Sequence, residues 1–362
     1  RQNLNIENMR NLILLQENSG QVAFINSISN TTVKNIVKGF IDKVAETFES
    51  IKTSLQMAGH YDSIINLTDV RCTKNNLLSE LIRQSKDGNM FDLLILGHGN
   101  NKQLMLHDNE VLTDVHVKAM LTQARKLHPG MKFNLRLVYM CNCYGGTMSD
   151  AWLSIGAKTS IGCNNVNYMP EPQTTHFFDD FVKKGYSVVD ACNRSFDVSN
   201  AWWKVTGLPE KDRRGSKLTV KGENIRFEGR RMTVGEVLQR NIYASNTHNY
   251  TSIYLMNGEK YEFKVTGSQK WKNGVRETTA NGYPKGPFDF PRQKDYNVMT
   301  LVGEIFNDSN NVLSFTGTHF KIGTAKTWTA TKSGFLVCHA NDGLPFYADN
   351  SGKMSISIKR IS

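Results

Sequence analysis

Long hydrophobic runs are missing from this sequence of 362 residues. No apolar stretch approaches the roughly 18 residues that a membrane-spanning helix needs, so we expect no transmembrane segment. Hydrophobic residues make up 39% of the chain and charged residues 21%, which is typical of a soluble globular protein. The chain opens on Arg1 rather than Met, which indicates a fragment or a processed form. Any signal peptide would then lie outside these residues.

The six cysteines are scattered along the chain, and their spacing matches no known framework. The six cysteines include no CxxC pair, so the sequence supports neither a disulfide scaffold nor a zinc site. They are Cys72, Cys141, Cys143, Cys163, Cys192 and Cys338. The cysteines therefore leave the redox compartment open.

Positive charge is in excess, and it is concentrated. The formal net charge is +11, and residues 211–231 hold eight basic and three acidic side chains. No series of aromatic side chains alternates with these charges, as it does on surfaces that stack bases, so we do not expect nucleic-acid binding. The pairs Arg213-Arg214 and Arg230-Arg231 indicate either a solvated charged loop or a processing site whose cleavage activates the protein.

The length of the chain suggests two domains. In residues 1–206, strand-like apolar runs alternate with helix-like segments, which predicts a mainly parallel α/β sheet with helices on both faces. Residues 207–234 are rich in Gly, Lys and Arg, and we expect a linker or a small hairpin there. Residues 235–362 contain short alternating segments separated by turn residues, the pattern of an all-β sandwich.

Individual elements follow the hydrophobic periodicity. In the first half it predicts strands at residues 11–16, 21–27, 63–70, 91–97, 133–140 and 158–162. The helices predicted between them are 31–53, 75–84, 114–126, 174–184 and 188–205. In the second half the predicted strands are 251–256, 259–266, 299–304, 314–322, 334–338 and 353–359.

Two of the predicted core strands end in chemically active side chains. The strand at 133–140 is followed by Cys141 and Cys143, and then by two glycines and a helix start. Backbone N–H groups and the helix dipole favour a thiolate at such a position. The strand at 91–97 is followed by His98. Because sites in open α/β sheets are built at the carboxyl ends of strands, we expect these side chains to meet.

This pair has the composition of a thiol nucleophile with its base. A nucleophilic cysteine needs a base beside it and donors for the oxyanion that develops. His98 is the candidate base, Cys143 the candidate nucleophile, and the N–H groups of Gly99 and Cys143 are candidate oxyanion donors. The alternative is an ordinary turn histidine and a small buried cysteine. Because Cys141 and Cys143 point the same way in an extended segment, the residues alone leave open which cysteine acts.

Both blocks resemble those of the caspase-like cysteine peptidases of clan CD, which include caspases, legumains, clostripain, gingipains and the CHAT-domain proteases. Residues 93–99, Leu-Leu-Ile-Leu-Gly-His-Gly, match the histidine block. Residues 142–148, Asn-Cys-Tyr-Gly-Gly-Thr-Met, are similar to the legumain cysteine block. The resemblance implies the caspase-haemoglobinase α/β fold for about residues 1–205. It also implies a dyad of His98 and Cys143 with the two oxyanion donors named above.

The resemblance places Cys141 two positions before the nucleophile, where family members often carry a residue of the S1 pocket. Members that prefer basic or legumain-type P1 residues have acidic or polar groups in that pocket, and Cys141 is neither. The P1 preference is therefore open. Glu171, Asp179 and Asp180 could supply charge, although a solvated helix start is the alternative for the two aspartates.

A second constellation lies near the C-terminus. Asp342, Asp349 and Asn350 are oxygen donors spread over nine residues of turn-rich chain. Such a loop can wrap a hard cation, with backbone carbonyls completing the six to eight ligands that calcium takes. The alternative is an ordinary Asx-rich turn.

Residues 235–362 resemble the bacterial calcium-dependent galactophilic lectins of the PA-I type. The likeness includes residues 251–253, 257–259 and 341–352. It implies that hydroxyls of a bound sugar complete the metal shell. The calcium ligands that the resemblance implies are the side chains of Asp342, Asp349 and Asn350 and the carbonyls of Phe346 and Trp271.

Two departures from the lectins stand out. Asp349 replaces an asparagine, which adds negative charge and favours cation binding. Residues 281–291 lack the His and Gln that grip the sugar in the lectins, so galactose specificity is in doubt.

These patterns predict a secreted or surface-directed cysteine endopeptidase, in which a lectin-like module brings the enzyme to a glycan or a cell surface. Cys143 would attack a protein or peptide substrate, and a water deprotonated by His98 would hydrolyse the acyl-enzyme. We expect calcium in the second half and no cofactor for the peptidase chemistry. Two alternatives stay open. One is a non-catalytic adhesin with a pseudo-protease scaffold, and the other is an intracellular regulated protease whose sandwich binds a protein partner.

Overall fold

The computed structural model describes residues 10–17, 60–227, 231–287, 289–306 and 318–362. The strand predicted at residues 21–27 and the helix predicted at 31–53 lie outside these ranges. Within them, a mixed, mostly parallel α/β sheet is followed along the chain by antiparallel sheets.

The first sheet is built from six strands. In chain order the strands of this half are β1 Arg10–Gln16, β2 Ser63–Thr68, β3 Met90–Leu96, β4 Gly99–Asn100, β5 Gln103–Met105, β6 Val111–Thr113, β7 Leu135–Met140, β8 Thr159–Cys163 and β9 Leu218–Gly222. The six lie in the order β2-β1-β3-β7-β8-β9, with β9 antiparallel and the others parallel. Strands β4, β5 and β6 form a small antiparallel sheet. The prediction of a mainly parallel sheet is confirmed.

Helices cover both faces of this sheet. They are α1 Lys74–Lys86, α2 Asp114–Leu127, α3 Ser149–Ser154, α4 Pro170–Phe178, α5 Val188–Val205 and α6 Glu210–Gly215, with a π-helical turn at Asp179–Lys183 after α4. Side chains alternate along a strand. Ile13 therefore joins the buried cluster that includes Leu77 of α1, whereas Leu12 joins the cluster that includes Phe177 of α4.

Hydroxyl side chains start three of these helices. Each accepts a hydrogen bond from an N–H of the first turn, a contact typically worth about 1 kcal/mol. The capping residues are Thr73 for α1, Thr113 for α2 and Ser187 for α5. Among the helices of the described ranges, none combines the length and the apolar character that crossing a membrane requires.

The segment predicted as a linker, residues 207–234, belongs in part to the first sheet. It contains α6 and β9, and β9 pairs with β8 along its whole length. Arg213, expected in an exposed loop, is buried and donates from Nε to Asn200 Oδ1 at 2.9 Å. Local composition suggested a loop because pairing with a strand so distant in the chain leaves no local signal. The boundaries 1–206 and 235–362 stay predictions.

Two antiparallel sheets form the second half. Its strands are β10 Val237–Tyr243, β11 Asn249–Leu255, β12 Lys260–Val265, β13 Trp271–Asn273, β14 Arg276–Thr278, β15 Asn281–Tyr283, β16 Val298–Phe306, β17 Thr318–Lys321, β18 Ala325–Thr329, β19 Gly334–Ala340 and β20 Asn350–Arg360. One sheet contains β10, β12, β13, β14, β18 and β20, and the other contains β11, β15, β16, β17 and β19. Phe263 of β12, Leu301 of β16 and Leu336 of β19 share one buried core between the sheets, as in a β-sandwich.

The two halves are packed against each other. Tyr250 and Val337 of the sandwich belong to the same buried cluster as Phe227 and other side chains of the first half. The Tyr250 hydroxyl donates to the Phe227 carbonyl at 2.6 Å. His60 Nδ1 lies 2.9 Å from Ser252 Oγ. The sandwich is therefore fixed to one face of the α/β sheet by apolar burial and buried polar contacts.

Candidate active site

Strands β3 and β7 are parallel neighbours and place the proposed dyad at one edge. Ile95 pairs with Met140. His98 and Cys143 each lie three residues beyond this pair, so both follow the carboxyl ends of neighbouring strands. The Cys141 N–H donates to the Ile95 carbonyl at 3.0 Å, which extends the pairing up to the cysteine segment.

The histidine and cysteine segments meet at Gly99. A Cβ added to Gly99 would overlap both Asn142 Nδ2 and the Cys143 carbonyl oxygen. Only glycine allows so close an approach of the two backbones. A second link is made by the Lys102 N–H, which donates to Thr147 Oγ1 at 2.7 Å. The structure thus brings into contact two segments that the sequence predicted to meet.

The turn after the cysteine is held against the end of β8. Tyr144 has a left-handed φ of 56° and its N–H donates to the Asn165 carbonyl at 2.8 Å. A Cβ on Gly146 would lie 2.7 Å from the Gly162 carbonyl oxygen, closer than side chains approach. The glycine pair in the sequence therefore lets the turn lie directly on its neighbour strand.

Cys143 is the half-exposed member of the six cysteines, and the other five are buried. Its Sγ accepts a hydrogen bond from the Asn167 N–H at 3.3 Å. Burial raises the pKa of the Cys143 thiol, although this N–H and that of Cys143 lower it. The sequence pattern favoured a thiolate here. Only a short 3-10 turn, Gly145–Met148, and a single six-residue helix follow, so desolvation outweighs the dipole and the resting group is a thiol.

His98 lies beside a buried acid. Burial lowers the pKa of His98, whereas the Glu17 carboxylate raises it. Glu17 is 1% exposed, follows β1 directly, and places Oε2 3.4 Å from His107 Nδ1. His98 is therefore neutral at pH 7 and able to accept a proton. The sequence reasoning missed Glu17, although an acid directly after a strand predicted at residues 11–16 was a usable signal.

Cys141 faces the interior. Its Sγ lies 3.3 Å from Thr174 Oγ1, and its carbonyl accepts from Asn167 Nδ2 at 2.8 Å. Burial raises the pKa of the Cys141 thiol far above its ordinary value. A buried neutral thiol is a poor nucleophile, so the structure favours Cys143 as the reactive cysteine.

Glu171 lies between Asn167 and Thr174, the two residues that contact Cys141. Its side chain is mostly buried, and Oε2 accepts from Thr175 Oγ1 at 2.8 Å. Oε1 is buried and has no hydrogen-bond partner among the described residues. Burial raises the pKa of Glu171 to about 7. Its charge in turn raises the pKa of Cys141, which places the carboxyl close to the cysteine strand.

The other two acids considered from the sequence are engaged elsewhere. Asp179 pairs with Lys183 at 2.6 Å. Asp180 pairs with Lys184 at 2.7 Å and with Arg194 Nε at 2.9 Å. Both aspartates therefore belong to helix contacts, and neither supplies charge to the cysteine segment.

Replacing Glu171 with glutamine is expected to stabilise the fold at neutral and alkaline pH. The unfolded chain releases this proton near pH 4.5, whereas burial in the folded chain holds the pKa of Glu171 at about 7. The free energy of unfolding therefore falls as pH rises between these values, by about 3 kcal/mol in total. Glutamine does not ionise. Urea unfolding at about pH 4 and about pH 8 should show the variant gaining this amount over the wild type only at the higher pH.

Two of the predicted calcium ligands, Asp342 and Asn350, are in contact. Asp342 accepts from the Gly343 N–H at 2.8 Å and from Asn350 Nδ2 at 2.9 Å. Asn350 Oδ1 is buried and has no hydrogen-bond partner in the described part of the chain. Burial raises the pKa of Asp342, and the Asp349 carboxylate raises it further. Carboxylate and amide oxygens thus share a small volume, which fits a hard cation.

The remaining predicted ligands lie nearby in the fold. Trp271 is on β13, which pairs with the start of β20, and Phe346 is in the 3-10 segment between the acidic ligands. Asp289, which the sequence reasoning missed, also raises the pKa of Asp342. Within the described ranges, no group of three or more His, Cys, Asp or Glu side chains is arranged to hold a metal. The predicted set draws instead on two carboxylates with amide and carbonyl oxygens.

No protein-family model and no curated protein matches this chain. Among solved structures, the chain is similar to one described as the EclA N-terminal domain, a PllA-like lectin. The identity is 19% and the TM-score 0.26, and the similarity covers 34% of this chain and 97% of that one.

Proposed function

We propose that this protein is a cysteine endopeptidase with a caspase-haemoglobinase-like catalytic half, in which Cys143 is the nucleophile and His98 the general base. One observation carries the proposal: the two residues each lie three positions beyond the paired residues Ile95 and Met140, and Gly99 lets the two segments approach closely. Exposure supports Cys143 over the five buried cysteines.

The chemistry follows from the resting protonation states. Cys143 Sγ attacks the carbonyl carbon of the scissile peptide bond while its proton passes to His98. The N–H groups of Gly99 and Cys143 donate to the oxyanion. His98 then protonates the leaving amine, and a thioester remains on Cys143. A water that loses its proton to His98 hydrolyses the thioester and restores the thiol.

Replacing His98 with alanine is expected to lower kcat for peptide cleavage by about 10²–10⁴-fold, since the attacking thiol loses its proton acceptor. A peptide library of unbiased sequence, digested by wild type and variant and read by mass spectrometry, provides the measurement. His107→Ala is the matched control, because His107 contacts the same Glu17 carboxylate and has no proposed chemical role. Unchanged cleavage by the His98 variant would contradict the mechanism.

For the sandwich, we propose a calcium site formed by Asp342, Asp349, Asn350 and the carbonyls of Phe346 and Trp271. The buried, unpaired Oδ1 of Asn350 supports it. Bound calcium would supply positive charge to the acidic cluster and open coordination positions for ligand hydroxyls. We further propose that the module directs the peptidase to a glycan, on a secreted or cell-surface form of the protein.

A further inference from the structure

We infer that Cys143 and Cys163 form an oxidation-sensitive pair, in which Cys163 converts a Cys143 oxidised by a hydroperoxide into a reversible disulfide. Cys163 would thus be a resolving cysteine, the thiol that attacks an oxidised partner. The pairing goes beyond the proposed peptidase function and bears on it, because a disulfide at the proposed nucleophile would stop cleavage until it is reduced.

Cys163 is the last residue of β8, which runs parallel to β7. Its Sγ lies 3.0 Å from the Asn165 carbonyl oxygen and 3.6 Å from the Asn142 carbonyl oxygen. The Tyr144 N–H also acts on this thiol. Asn142 and Tyr144 are the chain neighbours of Cys143. The sulfur of Cys163 is therefore held against the backbone on both sides of Cys143.

The Cys143 sulfur faces the same segment. Its Sγ accepts from the Asn167 N–H at 3.3 Å, and the Tyr144 N–H donates to the Asn165 carbonyl at 2.8 Å. Residues 142–144 and 163–167 therefore lie side by side. Hydrogen-bonded backbones are about 5 Å apart, which is within the Cα separation of about 4.4–6.8 Å that a disulfide spans. The charge of Cys143 also raises the pKa of Cys163, as expected for two sulfurs close together.

A second thiol, that of Cys141, lies nearby but is less suited to the role. Its Sγ is 3.3 Å from Thr174 Oγ1, a contact within the core. Burial raises the pKa of Cys163 to about 11 and that of Cys141 further. The N–H groups of Tyr144 and Asn165 lower the pKa of Cys163. Because a resolving thiol attacks as the thiolate, Cys163 is the better partner, and the intramolecular reaction offsets its small ionised fraction.

The reaction balances in two steps. The Cys143 sulfur attacks a hydroperoxide, the O–O bond breaks, and a sulfenic acid forms while the thiol proton passes to the alcohol or water that leaves. The Cys163 thiolate then attacks the sulfenic sulfur, an S–S bond forms, and the departing hydroxide takes up the Cys163 proton as water. Two thiols lose two electrons in total, and the hydroperoxide accepts both. The half-exposed Cys143 meets the oxidant first, since Cys163 is fully buried.

The test exposes the full chain to hydrogen peroxide, blocks the remaining thiols and maps the sulfurs by mass spectrometry. We expect one disulfide, between Cys143 and Cys163, which dithiothreitol reduces. In Cys163→Ser a hydroxyl can still donate to the Asn165 carbonyl, so the fold should be retained. Cys143 of this variant should proceed to sulfinic acid, and the Cys143 thiol recovered by dithiothreitol should fall at least about tenfold below wild type. Cys192→Ser is the matched control, because it removes a buried thiol of α5 and should keep the disulfide.

Three results would overturn the inference. They are oxidation of Cys143 to sulfinic acid in wild type without a disulfide, a disulfide that pairs Cys143 with Cys141, and equal recovery of the Cys143 thiol in wild type and Cys163→Ser. The mapping of sulfurs does not depend on catalysis. A protein that forms the disulfide between Cys143 and Cys163, yet cleaves no peptide when reduced, would therefore contradict the peptidase proposal alone.

Discussion

Replacing Cys143 with serine is expected to lower kcat/KM for peptide cleavage by at least about 10⁴-fold, the scale of losing a covalent nucleophile. Serine keeps the size of the side chain and its hydrogen bond from the Asn167 N–H, so the fold should be retained. A hydroxyl is a far weaker nucleophile than a thiol. The neutral His98 imidazole accepts the proton only during attack, so it does not compensate for this difference. Initial rates with a fluorogenic peptide from the library profile give the measurement.

Cys141→Ser is the matched control for this experiment, because the sequence alone left both cysteines open. Cys141 is buried against Thr174, and its hydrogen bond can be made by a hydroxyl as well. We expect this variant to keep cleavage within about tenfold of wild type. Loss of cleavage in Cys141→Ser with activity retained in Cys143→Ser would show that the inner thiol is the nucleophile and would contradict the proposed site.

Calcium is expected to raise the free energy of unfolding by about 2.7 kcal/mol when its concentration is 100 times Kd. The physical reason is that the ion would bind oxygens the folded chain already holds together, including the unpaired Oδ1 of Asn350. Asp342→Asn keeps the volume and removes one carboxylate, so the calcium-dependent increase in melting temperature should disappear. Thermal unfolding with calcium and with chelator gives the comparison.

Asp295→Asn serves as the control, since Asp295 is an exposed acid of the same half. It should retain the full calcium shift. The site would be contradicted by two results: no change in melting temperature at millimolar calcium, or an equal shift in the Asp342 and Asp295 variants.

The hydrophobic pattern predicted many of the strands and helices. The buried runs predicted at residues 91–97 and 133–140 became β3 and β7, and the helix predicted at 188–205 is α5. These elements are long or strongly apolar, and their periodicity depends on neighbours a few residues apart. The same pattern placed His98 and Cys143 at one edge, because parallel strands end together.

The rest depends on partners far along the chain. Glu17 reaches the histidine only because β1 pairs with β3, and β9 joins the first sheet only by lying along β8. The state of Cys143 could not be predicted either. Its pKa depends on how much water the folded chain excludes, and the sequence showed only the helix start that follows it. Residues 167–174 carried no motif, yet Asn167 contacts both cysteines and Thr174 contacts Cys141.

Burial of the Glu171 carboxyl costs stability at neutral pH. A buried carboxyl that lowers the free energy of unfolding above its pKa is unfavourable for folding alone, and such groups are typical of functional sites. The substitution Glu171→Gln is therefore expected to stabilise the chain at neutral pH.

The central claim is that His98 accepts the proton of the Cys143 thiol, and the rate of Cys143 alkylation by iodoacetamide as a function of pH tests it most directly. Mass spectrometry would follow all six cysteines in wild type and in His98→Ala. We predict that Cys143 reacts first in both proteins. In wild type the alkylation rate of Cys143 should exceed that in the variant at neutral pH. As the pH is lowered, the wild-type rate should fall only at pH values below the ordinary imidazole pKa, since burial lowers the pKa of His98. Identical rates and pH profiles in the two proteins would contradict the account.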